Sequence, residues 1–399
     1  PRPVRLQEEV TERGARMNKI VAMTGNEAAA EAMRQIDPDV VAAYPITPQT
    51  ELMHKFAEIV ADGLVKTEMI LVESEHSAMS ACVGASAAGA RVMTATSANG
   101  LALMWEILYI AASLRQPIVM TVVNRALSGP INIHCDHSDS MGCRDSGWIQ
   151  LYGENPQEAY DNILQAVRIA EHPDVQLPVM PTFDGFIISH TIERLELLPD
   201  AEARGFVGER KPLYPLLDVA HPVTYGPLDL QDYYFEHKKQ QADAMARAKA
   251  VVRDVGREYG ALTGRQYGFF DAYRTEDAEQ IVICLGSAAG TMKAVTDAMR
   301  NEGRKVGVLK LRMFRPFPAD EIADAAGRAK KIVVMDRAEG FNAVGGPLCA
   351  EVKAALYGKS RAEVVNAVYG LGGRDLGPDL ARAAFDLSGP GVIHLGVRG

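Results

Sequence analysis

The chain has 399 residues, of which 47% are hydrophobic and 23% are charged, so it is long enough to build two or three domains around sizeable cores. Its net charge of −9, without a clustered stripe of lysine and arginine, argues against a nucleic-acid duplex as the main partner. No apolar run reaches the roughly 18 residues that a membrane-spanning helix needs, so we expect no membrane span. The five cysteines include no CxxC pair, which predicts a cytoplasmic chain without a cysteine-ligated iron–sulfur cluster of its own.

The chain begins with a charged stretch and then alternates between two patterns. Residues 1–17 lack the apolar core of a signal peptide and predict an exposed extension, with a partner-binding arm as the alternative. Over residues 18–200, short apolar runs alternate with helical patterns. The predicted strands are 39–45, 69–74, 90–97, 116–124 and 176–185, and the predicted helices include 48–62, 76–88, 99–113 and 156–171. The strand runs are apolar on both faces, which is typical of a parallel sheet covered by helices, so a doubly wound α/β domain is predicted here.

The pattern changes over residues 201–277. The first part is rich in proline and predicts an extended linker, and residues 235–264 predict one long polar helix. A second α/β unit is predicted over residues 278–399. It begins with a strand, a glycine turn and a helix, and the turn "GSAAGT" (286–291) fits either a phosphate site at a helix N-terminus or, in our preferred interpretation, an ordinary structural turn.

Two prolines bracket a threonine in "YPITPQT" (44–50), at the end of the first apolar run. Proline fixes φ and cannot donate a hydrogen bond to a neighbouring strand, so the strand must end there. Thr47 is therefore left at the exit of the strand, at the carboxyl edge of the predicted sheet. On these residues alone, its hydroxyl could simply cap the helix predicted from residue 48.

Charged side chains stand at the ends of two further predicted strands. The predicted strand 69–74 ends at a pair of glutamates, Glu73 and Glu75, and a helix of small residues follows, which would allow close approach of a subunit. This edge is where open α/β sheets bind ligands, although both carboxylates would also complement the helix dipole. Arg125 follows the strand 116–124 and could bind a carboxylate with two hydrogen bonds or form an ordinary salt bridge.

A polar loop contains several side chains that can bind metals. Within residues 132–148 these are His134, Cys135, Asp136, His137 and Asp139. Their spacing fits no zinc or non-haem iron pattern. We therefore predict a polar loop over an active site, and no metal site on this chain.

Six short motifs occur in an order that matches one family. They are "YPITPQT" (44–50), "ESEHSAM" (73–79), "TSANGLALM" (96–104), "NRALSGP" (124–130), "RDSGW" (144–148) and "RPFP" (315–318). Together they resemble the α subunit of the 2-oxoacid:acceptor oxidoreductases, of which pyruvate:ferredoxin oxidoreductase is the best-known member. The resemblance extends from about residue 20 to the C-terminus. It implies two doubly wound α/β domains, a thiamine-diphosphate pyrimidine-binding domain and a transketolase C-terminal-like domain, in which "RPFP" is structural.

The resemblance implies that the cofactor is shared between subunits. This chain would face the aminopyrimidine ring of thiamine diphosphate, and a β subunit would hold the diphosphate and Mg²⁺, since no Gly-Asp-Gly motif occurs here. Glu75 would bind N1′ of the ring and promote loss of the thiazolium proton. Pro45, Ile46, Ser97 and Asn99 would also contact the cofactor, and Asn99 stands where many relatives have the longer glutamine.

The resemblance also implies a reaction and its partners. Thr47 and Arg125 would bind the carboxylate of a 2-oxo acid, either pyruvate or an aryl acid such as phenylglyoxylate. Oxidative decarboxylation would pass electrons through iron–sulfur clusters on partner subunits, which include a γ-type subunit. The acceptor would be ferredoxin, or a nicotinamide reached through a flavin subunit, and coenzyme A would take the acyl group. Such a chain is active only in its complex.

Three alternatives remain open on the sequence. The first is the pyrimidine-binding component of a lipoamide-linked 2-oxoacid dehydrogenase or of a transketolase-like enzyme. The second is a non-catalytic scaffold subunit, which would not need Glu75, Arg125 and Thr47 together at strand ends. The third, and least favoured, is a metalloprotein centred on His134, Cys135 and His137.

Overall fold

The computed structural model describes residues 19–398, so the extension predicted for residues 1–17 lies outside the described part. Strands and helices alternate through its first half. The strands are β1 (Lys19–Met23), β2 (Val40–Ala43), β3 (Glu68–Leu71), β4 (Val92–Thr96), β5 (Val119–Asn124), β6 (Ile149–Tyr152), β7 (Val179–Asp184) and β8 (Glu193–Leu197). The helices are α1 (Gly25–Ile36), α2 (Thr50–Ala61), α3 (Glu75–Ala88), α4 (Ala98–Leu103), α5 (Trp105–Ser113), α6 (Ser138–Gly142), α7 (Pro156–Ala170) and α8 (Asp200–Val207).

The second half begins with a long helix and continues with a second α/β alternation. The strands are β9 (Phe270–Tyr273), β10 (Gln280–Cys284), β11 (Val306–Leu311), β12 (Met313–Arg315), β13 (Lys331–Asp336), β14 (Glu363–Tyr369) and β15 (Val392–Leu395). The helices are α9 (Tyr234–Thr263), α10 (Ala288–Asn301), α11 (Ala319–Ala326), α12 (Pro347–Leu356) and α13 (Pro378–Asp386), with a 3₁₀ turn at Leu371–Gly373.

The main sheet has seven strands in the spatial order β12-β6-β7-β5-β4-β2-β3. The six strands from the first half run parallel, and strands β4 to β7 are buried along their whole length because helices cover both faces. This confirms the predicted doubly wound class. The prediction of burial on both faces is wrong for β3, where Leu71 is 75% exposed, because this strand lies at the edge of the sheet.

A second sheet has the order β15-β14-β13-β10-β11-β9, parallel except for β9. Its edge strand β9 comes from the segment 201–277, so this sheet begins before residue 278. Strands β1 and β8 form a separate antiparallel pair. Among residues 19–398, no helix is both long and apolar enough to cross a membrane.

Side-chain caps start helices α1 and α3. In α1, Thr24 and Glu27 form a reciprocal capping box. In α3, the hydroxyl of Ser74 accepts a hydrogen bond of 3.2 Å from the backbone N–H of Ser77. This cap places Glu75 in the first turn of α3, directly after the edge strand.

Three predicted elements differ from the observed ones. The helix predicted over 99–113 is divided into α4 and α5, because the Met104 N–H contacts the carbonyls of both Gly100 and Leu101, which tightens the chain there. The predicted extended linker starts with helix α8, whose side chains Phe206 and Val207 bury against the core. Residues 208–233, all of them described, contain neither helix nor strand, and the predicted long helix is α9.

The two sheets are joined by backbone pairing and by a buried ion-pair network. Strand β12 follows β11 of the second sheet and pairs antiparallel with β6 of the main sheet. At the end of β7, the Asp184 carboxylate accepts hydrogen bonds from Arg337 Nη1 at 2.8 Å and from Ser287 N at 3.1 Å. Because Ser287 lies in the "GSAAGT" turn, this turn binds a carboxylate of the protein itself, which supports its structural interpretation.

Candidate functional site

Four neighbouring parallel strands bring the predicted site residues to one edge of the main sheet. Their spatial order is β5-β4-β2-β3. Arg125 directly follows β5, Ser97 directly follows β4, Thr47 lies beyond β2 and Glu75 lies beyond β3. The carboxyl ends of parallel strands share an edge, so these residues from distant parts of the chain face one region.

Arg125 is held in place by backbone carbonyls. Its Nη1 donates to the carbonyl oxygen of Thr47 at 3.0 Å, and its Nε donates to the carbonyl of Asn132 at 2.8 Å. The residue is 8% exposed, and no carboxylate within residues 19–398 forms an ion pair with it. The alternative of an ordinary salt bridge is therefore wrong for the described chain. The guanidinium is fixed beside Thr47 and keeps donors for an anion.

Burial separates the two glutamates that follow β3. Glu73 is exposed, and a hydrogen bond from the Ser77 hydroxyl lowers the pKa of its carboxyl group. Glu75 is buried, with 7% exposure, and its carboxylate makes no hydrogen bond or ion pair with any residue from 19 to 398. A buried carboxylate without a partner is costly, so Glu75 suits a ligand that donates a hydrogen bond.

Gly100 makes room for the Glu75 side chain. A Cβ atom added to Gly100 would lie 2.7 Å from Glu75 Oε1 and 2.6 Å from Thr96 Oγ1. A Cβ atom essentially never lies this close to another heavy atom, so any larger residue at position 100 would displace one of these side chains. Steric exclusion of a Cβ atom thus explains why the "TSANGLALM" motif has glycine at position 100.

The other predicted cofactor contacts lie in the segments that follow β4 and β2. The hydroxyl of Ser97 is buried and has no hydrogen-bond partner among the described residues. Asn99 is exposed, and its Oδ1 accepts a hydrogen bond of 3.1 Å from Ser128 N. Pro45 is exposed and Ile46 is partly buried. The buried Ser97 hydroxyl thus keeps an unused hydrogen bond, and Pro45 and Ile46 keep accessible apolar surface.

Gln49 is a structural residue that the sequence interpretation missed. Helix α2 starts at Thr50 with Gln49 at its N-cap position, so the interpretation of Thr47 as the helix cap is wrong. The fully buried Gln49 side chain accepts from Ile46 N at 3.2 Å and donates to the Ala95 carbonyl at 3.0 Å. It ties the "PITP" turn to β4. A polar residue directly after the second proline was the available signal.

The polar loop 132–148 contributes to the interface between the two sheets. Atoms of Cys135, His137 and Asp184 that could bind a metal lie within 4.8 Å of one another, and His134 is not in this group. However, His137 Nε2 contacts Asp184 Oδ1 at 2.7 Å, and Arg337 occupies the other oxygen. Burial opposes the charged form of Asp184, but His137 and Arg337 outweigh it and lower its pKa. The arrangement is that of an ion-pair network.

Comparison with known families places this chain in one class of protein. The family model described as "Pyruvate flavodoxin/ferredoxin oxidoreductase, thiamine diP-bdg" matches residues 31–257, and "Pyruvate:ferredoxin oxidoreductase core domain II" matches residues 278–380. The chain is a subunit of a 2-oxoacid:acceptor oxidoreductase, and it belongs to the pyruvate flavodoxin/ferredoxin oxidoreductase family. The predicted family and α/β fold class are thereby confirmed.

Individual proteins that are similar to this chain are 2-oxoacid oxidoreductases or their subunits. The chain is 61% identical to "Pyruvate synthase subunit PorA" of Thermotoga maritima, over 92% of this chain and 93% of the relative. It is 46% identical to "Ketoisovalerate oxidoreductase subunit VorA" of Pyrococcus abyssi, over 88% of this chain and 89% of the relative. The solved 2-oxoglutarate:ferredoxin oxidoreductase from Magnetococcus marinus shares the fold, with a TM-score of 0.71 and 18% identity. That alignment covers 92% of this chain and 64% of the longer Magnetococcus chain.

Proposed function

We propose that the chain is the α-type subunit of a pyruvate:ferredoxin oxidoreductase and supplies the aminopyrimidine side of a thiamine diphosphate site. The observation that carries the proposal is the buried Glu75 carboxylate, which has no partner among residues 19–398 and lies at the carboxyl edge of the sheet. Thiamine diphosphate, when bound, supplies a carbanion that adds to the carbonyl of a 2-oxo acid. The chain's own residues must then orient the ring and bind the substrate.

The residues present fit the pyrimidine half of the cofactor. Glu75 would hold a proton at N1′ of the ring, an interaction that is stronger in a site without water. Ser97, whose buried hydroxyl lacks a described partner, offers a further hydrogen bond, and Ile46 offers apolar surface. The sequence has no Gly-Asp-Gly motif, so we assign the diphosphate and Mg²⁺ to a β subunit.

Arg125 and Thr47 would bind the substrate carboxylate. The guanidinium is already oriented by the carbonyls of Thr47 and Asn132, so little freedom is lost when it binds an anion. Thr47 has an exposed side chain beside it, whose hydroxyl can donate one further hydrogen bond. Together they would orient the carbonyl carbon of a 2-oxo acid toward the cofactor.

Pyruvate is the substrate we propose because the relative at 61% identity is named a pyruvate synthase subunit. A branched 2-oxo acid is the second candidate, since a relative at 46% identity is named for ketoisovalerate. The aryl acid phenylglyoxylate, which the resemblance left open, has no support from these relatives.

Because the chain contains no CxxC pair, we assign the iron–sulfur clusters to partner subunits, which include a γ-type chain. Ferredoxin is the proposed electron acceptor and coenzyme A the proposed acyl acceptor.

The test is decarboxylation of 2-oxo acids by the native complex with a viologen dye, for the wild type and for Glu75→Gln. A group that acts in proton transfer usually contributes roughly a hundredfold or more, so we expect a loss of that size. Glu73→Gln is the matched control, because this neighbouring carboxylate is exposed. Pyruvate, ketoisovalerate and phenylglyoxylate are compared in parallel.

Equal activity of the Glu75 and Glu73 variants would contradict the assignment of Glu75 and would favour a scaffold role for the chain. Faster turnover of ketoisovalerate than of pyruvate by the wild type would contradict the substrate. Iron and sulfide analysis of the complex separates this proposal from a lipoamide-linked or transketolase-like enzyme, which would carry neither.

A further inference from the structure

We propose that Asp139 is a positioning residue that fixes, through one carboxylate, the Ser97–Asn99 turn on the cofactor side of the site and Arg125 on its substrate side. This inference rests on the proposed function, because it assigns those two elements to cofactor and substrate. Asp139 lies in helix α6, within the polar loop, and is 3% exposed. Both of its carboxylate oxygens are bonded to N–H groups of the protein, so we assign it an action through other residues.

Each oxygen of the Asp139 carboxylate accepts two hydrogen bonds. Oδ2 accepts from the backbone N–H groups of Ala98, at 3.0 Å, and Arg125, at 2.9 Å. Oδ1 accepts from the side chain of Asn124, at 2.8 Å, and from Ser140 N, at 2.7 Å. Arg125 directly follows β5, and Ala98 is the second residue after the neighbouring strand β4. A single oxygen atom therefore bridges the two strand ends that bear the proposed cofactor and substrate residues.

The turn held by this carboxylate has an unusual backbone. Ala98 has φ of 42°, in the left-handed region that residues with a Cβ atom rarely adopt. It lies between Ser97 and Asn99, two proposed cofactor contacts. A conformation of this kind persists only where the surrounding structure holds it. The hydrogen bond from Ala98 N to Asp139 is such a restraint.

A buried aspartate in the second sheet provides a control with the same chemistry. Asp336 is 2% exposed and accepts hydrogen bonds from Leu348 N, Cys349 N and the side chain of Asn366. It differs from Asp139 in location, because its hydrogen-bond donors lie in the second α/β unit. None of these donors is a proposed site residue. A purely structural role for Asp139 predicts that both aspartates respond alike to substitution.

The experiment compares Asp139→Asn with Asp336→Asn in the assembled complex. Asparagine keeps the size of the side chain but presents an NH₂ group to N–H donors, so it cannot satisfy both pairs. We expect kcat/KM for pyruvate to fall about a hundredfold in the Asp139 variant, the cost of a small misplacement of binding groups. The dissociation constant for thiamine diphosphate, measured by calorimetry on the cofactor-depleted complex with Mg²⁺, should rise roughly tenfold. The Asp336 variant should lose stability without either change.

Two further variants keep the test decisive. Ala98→Gly added to Asp139→Asn should recover much of the thiamine diphosphate affinity, because glycine adopts a positive φ without a restraint, but should leave the KM for pyruvate high. Asn124→Ala removes one of the four donors and is the milder variant if Asp139→Asn does not assemble; it should raise the KM about threefold to tenfold.

The inference is overturned if Asp139→Asn changes kcat/KM and cofactor affinity no more than Asp336→Asn, or if Asn124→Ala leaves the KM unchanged. A wild-type complex that does not oxidise pyruvate would contradict the proposed substrate. In that case the calorimetric comparison still tests Asp139, because it measures cofactor binding alone.

Discussion

At the carboxyl edge of the main sheet, two residues with the same side chain differ in how far they are buried. Glu73 and Glu75 are both glutamates at the start of α3, yet one is exposed and the other is buried. The difference follows from the helix cap at Ser74, which turns the next side chain inward beside Gly100. At this scale, the space left by a missing Cβ atom decides where a carboxylate can lie.

Gly100→Ala should therefore lower the activity of the complex by about a hundredfold, because the new methyl group would displace Glu75 from its position. The measurement is kcat/KM for pyruvate. Gly205→Ala is the control, since a Cβ at that exposed helical glycine meets nothing within 4 Å. A Gly100 variant as active as the Gly205 variant would show that Glu75 tolerates displacement.

Among the elements, the C-terminal end of the long helix α9 and the chain that follows it are bonded to one buried carboxylate on α7. Asp161 is fully buried and accepts hydrogen bonds from Tyr259 Oη at 2.6 Å and from Arg265 Nε at 2.6 Å. Tyr267 also donates to it. Burial, and then the charge of Asp161, raises the pKa of both tyrosines, so they stay protonated and donate. This cluster holds the C-terminal end of α9 against α7, in addition to the apolar face that the helix buries in the core.

Asp161→Ala should destabilise the chain by about 3 to 5 kcal/mol, because it leaves two buried hydroxyls unpaired and the partly buried Arg265 guanidinium with only the Glu196 carboxylate, at 3.9 Å. Urea denaturation of the purified chain, followed by circular dichroism, measures this. Asp243→Ala, which removes an exposed ion pair with Lys239 on the same helix, should cost at most about 0.5 kcal/mol. Equal losses in the two variants would mean that α9 is held by apolar contacts alone.

For the whole molecule, buried carboxylates make stability depend on pH. Burial raises the pKa of Asp139 and that of Asp336 to about 6, although hydrogen bonds from N–H donors oppose the shift. An aspartate in the unfolded chain titrates near pH 4. Because the folded pKa is the higher one, the stabilising contribution of each group is complete below about pH 4 and is lost as the pH rises to about 6.

The free energy of unfolding of the wild type should therefore fall between pH 4 and pH 6.5 by about 2 to 3 kcal/mol more than that of Asp336→Asn. Urea titrations at several pH values measure the difference. Asp320→Asn is the control, since Asp320 is exposed and the ion pair with Lys359 lowers its pKa. If the Asp336 variant falls as steeply as the wild type, the carboxyl group of Asp336 titrates outside this range.

The sequence by itself determined the local features of this protein. The apolar runs and the prolines at 45 and 48 set where β2 ends, and short-range patterns also place Glu75 and Arg125 after their strands. The end of a strand and the residue that follows it depend on neighbouring residues in the chain, so both can be predicted without a structure. The order of six motifs also identified the family, which the comparisons confirm.

Only the tertiary structure decided which side chains are buried and which distant segments meet. The Arg125–Thr47 contact, the Gln49 bonds to β4 and the Asp184–Arg337 ion pair join residues far apart in sequence. The same holds for β12, which follows a strand of the second sheet but pairs with the main one. Burial and long-range pairing depend on how helices and sheets pack, and a local pattern contains no information on that packing.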